Sequence, residues 1–136
     1  MASIERPLTG GTLSYDLRAE AARLRDDDSY RRSGRLGRTL AKQGRFRQTL
    51  TVLASGAEAE THHSDSPMSL HVLEGSLRVR LSEGERELNA GEMIFTGPGD
   101  AHDIRATEQS ALLITLSALG DDFLPDESAS GGLSGL

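Results

Sequence analysis

The stretch GEMIFTGPGDAH (91–102) sets a histidine three places after a rigid Gly97-Pro98-Gly99 turn. An imidazole there has three chemical uses. It can ligate a first-row metal, move a proton near neutral pH, or serve as a hydrogen-bonded core side chain. Strict alternation in HDIRA puts His102 on one face with Ile104 and Ala106, opposite Asp103 and Arg105. A lone histidine among apolar neighbours is ordinarily a core residue, so His102 needs a partner before it carries chemistry. His71 in MSLHVL turns away from the face shared by Met68, Leu70 and Val72. His62 and His63 stand side by side in THHSD, followed by Ser64 and Asp65. No Asp or Glu is spaced to poise His62 or His102, which ranks proton transfer last among the three uses.

Strands must position these residues. FRQTLTVLAS (46–55), MSLHVL (68–73), SLRVRL (76–81), EMIFT (92–96), HDIRAT (102–107) and ALLITLS (111–117) alternate or run apolar as strands do. In SLRVRL, Leu77, Val79 and Leu81 share one face while Arg78 and Arg80 share the other. Glu74-Gly75 reads as a tight hairpin turn, and Glu83-Gly84 begins another. Before the strands, DLRAEAARLRDDD (16–28) reads as one helix, capped by Asp16 with Leu17, Ala21 and Leu24 along one stripe. The sequence therefore predicts an all-β fold, a small antiparallel β-barrel or jelly roll with a short N-terminal helix. It divides into an extension with the helix and the start of the first strands (1–45), the barrel (46–118) and a small, polar tail (119–136), expected to be disordered.

A chain of 136 residues suffices for one domain with one core. The absence of cysteine excludes a disulfide framework and any thiolate metal site. No apolar run is long enough to span a membrane, and MASIERPLTGG lacks the apolar core of a secretory leader, so a cytoplasmic protein with no membrane partner is expected. Residues 31–47 carry seven Lys or Arg and no acid, so within a net charge of −6 the rest of the chain holds −13. Only Phe46 interrupts that run as an aromatic, and a solvated hairpin paired with the acidic remainder explains it better than a nucleic-acid surface.

Residues 56–75 (GAEAETHHSDSPMSLHVLEG) and 91–106 together resemble the two motifs of the cupin superfamily. The first, G-x5-H-x-H-x3-E-x6-G, falls without a gap on Gly56, His62, Ser64, Met68 and Gly75. The second, G-x5-P-x-G-x2-H-x3-N, falls on Gly91, Gly97, Gly99, His102 and Ala106. The resemblance implies a small single-domain cupin whose Gly-Pro-Gly loop delivers His102 into the barrel. It also implies a homodimer, with the basic hairpin 38–55 touching the partner. Metal-dependent cupins use two histidines and a glutamate of the first motif plus the histidine of the second. Such a set suits Fe, Mn, Ni or Zn as divalent ions.

Here only His62 and His102 occupy those positions, while Ser64 and Met68 stand where the second histidine and the glutamate belong. His63, if a bulge turned it inward, or Asp65 could add a donor. Two readings follow. The first is a small-molecule-binding module with a weak or absent metal site, its pocket formed by His62, Ser64, Met68 and His102. The second is a metal-dependent enzyme of the dioxygenase or isomerase type with a non-standard ligand set. The residues name no catalytic group and no substrate. No helix-turn-helix segment accompanies the strands, which speaks against a transcription regulator.

Overall fold

The computed structural model describes residues 11–60, 66–97 and 101–117. It is the antiparallel β fold expected from the alternation, arranged as two facing sheets that are not closed into one barrel among the described residues. The five-stranded sheet has the order β1 (Arg35–Gln43), β2 (Phe46–Leu53), β9 (Ser110–Ser117), β4 (Met68–Glu74), β7 (Met93–Thr96). The four-stranded sheet has the order β3 (Glu58–Glu60), β8 (Ala101–Ala106), β5 (Ser76–Leu81), β6 (Gly84–Asn89). Between them lies a core of Leu53, Met68, Leu70, Val72, Leu77, Val79, Ile104, Leu112, Ile114 and their neighbours. These are the alternate residues of each strand, so the period-two pattern and the core are one observation.

The helix is two helices, not one. In α1 (Leu17–Arg25), the Asp16 side chain accepts from the backbone N–H of Arg18 and Ala19. In α2 (Asp28–Ser33), Asp27 plays the same role toward Ser29, and Gly34 closes the helix at φ 81°. The break falls at Asp26-Asp27 because aspartate prefers to cap a helix rather than continue one. Among the described residues no helix is long and apolar enough to cross a membrane. Ala21, Leu24 and Tyr30 pack on Leu40, Leu50, Val52 and Ala111, covering the outer face of the larger sheet. Strand β2 is thereby buried on both sides, which explains its unbroken run TLTVL. Arg38 reaches the buried Glu20 of α1 at 3.4 Å, and Arg31 reaches Asp28 at 3.5 Å, so part of the basic segment pairs with helix acids.

Strands β3 and β6 escape sequence reading. Strand β3 has three residues, and in GERELN of β6 only Leu88 is buried. An edge strand facing water on most positions has no alternation to display.

The expected hairpin at Glu74-Gly75 is corrected by the pairing. Strand β4 bonds to β9 and β7, whereas β5 bonds to β6 and β8, so Gly75 is a corner where the chain changes sheets. Only one residue separates the two strands, too few for a two-residue hairpin loop. A bulge at Leu73, between the pairs Val72–Leu112 and Glu74–Ala111, bends β4 into the corner. Here the chain meets the crossing from β8 to β9. The Ser76 N–H donates to Ser110 Oγ at 3.0 Å, and the Ser76 carbonyl accepts from the Thr107 N–H at 3.0 Å. Gly75 sits at φ 85°, and a Cβ on it would lie 2.3 Å from the Gln109 carbonyl oxygen.

Gly75→Ala should therefore lower stability by about 3 kcal/mol or more, summing a left-handed backbone and a collision with main chain. Gly44, at φ 58° with open space around it, is the control. Its alanine variant should lose only about 1 kcal/mol. Urea unfolding midpoints at unchanged m-value measure both.

Candidate functional site

The strand directions give the sandwich two unlike ends. The crossings from β2 to β3, β4 to β5 and β8 to β9 lie together at one end, where Gly56 N–H donates to the Ala106 carbonyl at 2.8 Å. At the other end β2 and β4 begin, β7 and β9 finish, and β8 starts. There the inner face of the larger sheet carries one register row: Arg47 opposite Leu116, Leu116 opposite Met68, Met68 opposite Thr96.

Met68 stands at the glutamate position of the first motif, and it is 4% exposed within the apolar core. It is there because it alternates inward with Leu70 and Val72. Its thioether supplies no anionic oxygen, so the described part of the motif does not fit the family's metal set at this position. Among the described residues no group of three or more His, Cys, Asp or Glu could hold a metal ion. The other first-motif candidates, His62, His63, Ser64 and Asp65, lie outside the described residues.

The backbone of His102 belongs to β8. Its neighbour Asp103 pairs with Glu60 of β3, two residues before His62 in the chain. The strands leading to both motif histidines are therefore hydrogen-bonded to each other. Strand β8 also carries a bulge at this point, since Val79 pairs with Ile104 but Leu81 pairs with Ala101. Three steps on β8 match two on β5, so the register slips by one residue between Ala101 and Ile104. His71 is half-buried on the opposite face of the larger sheet, in register with Leu113 and Met93.

Two inner-face residues of this row were not picked out by motif. Arg47 is 6% exposed and Thr96 5% exposed. The Thr96 hydroxyl is buried without a hydrogen-bond partner among the described residues. The signal was present in the alternation. FRQTLTVL puts Arg47, Thr49, Thr51 and Leu53 on one face, and a polar row beside a core is the mark of a lined interior.

Several solved structures share this fold. An RmlC-like cupin from Shewanella frigidimarina matches 68% of this chain and 83% of its own, at 23% identity and a TM-score of 0.60. An RmlC-like cupin from Desulfovibrio desulfuricans matches 79% and 97%, at 19% identity and a TM-score of 0.64. The cupin domain of an XRE family transcriptional regulator from Enterobacter cloacae matches 63% and 98%, at 16% identity and a TM-score of 0.56. At these identities the likeness is one of fold. No curated protein sequence matches the chain. The cupin domain family model matches residues 49–117, the span that holds both motifs and all strands from β3 to β9. With that match, and with Gly56, Gly75 and Gly91 at crossings between the two sheets, this chain belongs to the cupin family.

Proposed function

We propose that the chain is a small-molecule-binding module on a cupin scaffold, with a weak or absent metal site. The observation that carries this reading is Met68, packed into the core where a metal-dependent relative needs a carboxylate. His62 and His102 alone would offer two imidazoles, and two neutral donors hold a first-row ion poorly. An organic ligand makes smaller demands. It needs apolar wall and a few polar groups to fix its orientation. Met68, Leu70 and Leu116 are apolar, and the partnerless Thr96 hydroxyl is a polar group that a ligand oxygen or nitrogen would satisfy. His62, Ser64 and His102 complete the proposed pocket.

We also infer a homodimer. Its support is the nine-residue strand β1, which among the described residues is an open edge of the larger sheet, beside Phe46, which is 45% exposed at the foot of the same hairpin. Open edges invite pairing with a second chain.

The metal content of purified protein tests the first reading. Wild type should leave a desalting column with well under one equivalent of Fe, Mn, Ni or Zn. Met68→Glu should retain more, and its melting temperature should rise on adding Zn or Mn while that of wild type stays put. Without metal the variant should be roughly 2–4 kcal/mol less stable, because a carboxylate enters an apolar core. A full equivalent of metal on wild type that His102→Ala removes would overturn the proposal in favour of the enzyme reading. Light scattering at micromolar protein tests the dimer. Twice the chain mass is expected, and a monomer mass would overturn it.

A further inference from the structure

The outer face of the four-stranded sheet carries a group of arginines that the interior does not use. Leu77, Val79 and Leu81 point into the core, so Arg78 and Arg80 point outward from β5. Ile104 and Ala106 point inward from β8, so Arg105 points outward beside them. The register sets Arg78 directly opposite Arg105. Like charges opposite each other on one sheet face cost stability, their Cβ atoms being about 5 Å apart. On their far sides each arginine faces a glutamate in register, Glu87 opposite Arg78 and Glu58 opposite Arg105, so the like-charge contact stands at the centre of a mixed row. Arg78 meets Glu85 at 3.8 Å with both side chains half exposed, a geometry worth little in water. Arg105 pairs in register with Glu58, yet among the described residues it makes no ion pair.

The two guanidinium groups line an open depression of about 390 Å³ with Ser55, Gly56, Ala106 and Thr107, and among the described residues no carboxylate lines it. A neighbouring depression of about 280 Å³ shares Arg78 and Arg105 but adds Arg80, Glu58, Glu85 and Asp103. The floor of the first is already satisfied. Ser55 Oγ donates to the Thr107 carbonyl at 3.3 Å, Thr107 Oγ1 donates to the Ser76 carbonyl at 3.2 Å, and the Gly56 N–H donates to Ala106. The arginines are therefore the donors left for a ligand. Glycine at position 56 keeps the wall low, with open space where a Cβ would be.

We propose that Arg78 and Arg105 form a binding site for a small phosphate-bearing molecule on this face, separate from the cupin interior. One dianionic phosphate accepts from both forks and removes the repulsion between them, which a single monocarboxylate does only in part. The flanking Glu58, Glu85 and Asp103 and the net charge of −6 favour a small anion over a nucleic-acid polymer, whose backbone they would repel.

The test uses the full chain at constant ionic strength, titrated with inorganic phosphate and with pyrophosphate, and with acetate as the monocarboxylate. Arginine Nε–H resonances and the melting temperature are the readouts. Saturable shifts confined to Arg78 and Arg105 and a rise in melting temperature are expected with the phosphates, not with acetate. Arg105→Gln and Arg78→Gln should each weaken binding about tenfold or more, a loss of about 1.4 kcal/mol. In chloride alone each should melt close to the wild-type temperature, since each removes the like-charge contact together with an opposite-charge pair across the strands. Arg80→Gln, which lines only the neighbouring depression, should bind within about twofold of wild type. Shifts that grow linearly without saturating, or an Arg105→Gln variant that binds as wild type does, would overturn the proposal.

Discussion

The contact between the Gly75 corner and the 107–110 crossing is the constraint on which the rest of this fold depends. Two strands change sheets there, and their main chains meet so closely that no side chain fits between them. The buried Ser110 hydroxyl accepts from Ser76 and donates to the Glu108 carbonyl at 2.7 Å, so a tight approach that would orphan polar groups instead satisfies them. Gly56 and Ala57 then fasten the β2–β3 crossing to Ala106. With one end of the sandwich closed by backbone, the strands' free ends gather at the other. That is the end at which Arg47, Met68, Thr96 and the start of β8 lie. A fold tied at one end leaves the opposite end able to vary, which is how one architecture hosts many chemistries.

The faces divide labour in a similar way. Helices α1 and α2 cover the outer side of β1, β2 and β9, so Leu50 and Val52 are as buried as Leu53. Among the described residues the outer side of the smaller sheet has no such cover and carries Arg78, Arg80, Glu85, Glu87 and Arg105 instead. The basic run that looked continuous in sequence is split by this geometry. Arg38 goes under α1 to Glu20, Arg31 stays within α2, and Arg47 turns to the interior. A charge run in sequence is thus not a charged surface in space.

Much of the fold was legible because burial enforces alternation. The strand at Ser76–Leu81 was read to the residue, and the strands around Leu70 and Ile114 to within one. Legibility ended where burial stops dictating residue type. Strand β6 faces water and shows no pattern, and the Asp26–Asp28 run reads as the end of one helix where Asp27 in fact caps a second. The corner at Gly75 was mistaken for a hairpin because sequence shows where a strand ends but not which neighbour it then joins. At the site, the inward course of Met68 follows from its phase with Leu70 and Val72. The bulge in β8 does not, since HDIRA alternates without interruption on paper while its register slips by one beside His102.

Met68 shows how a cupin scaffold can fill the family's carboxylate position with an apolar side chain. The fold asks of that position volume and an apolar surface, because Met68 belongs to the apolar core with Leu70 and Leu116, Thr96 being its one polar neighbour in register. Burying a methionine side chain contributes about 1.5–3 kcal/mol. Burying a carboxylate there without a cation costs several kcal/mol, unless it takes up a proton and stays neutral. The two choices therefore differ in sign by an amount comparable to a large part of a small domain's net stability. A carboxylate at this position is tolerable only if metal binding returns that energy, whereas methionine stabilises the sandwich in every state of the site. Fold and metal site thus draw on the same position with opposite requirements, and this chain meets the requirement of the fold.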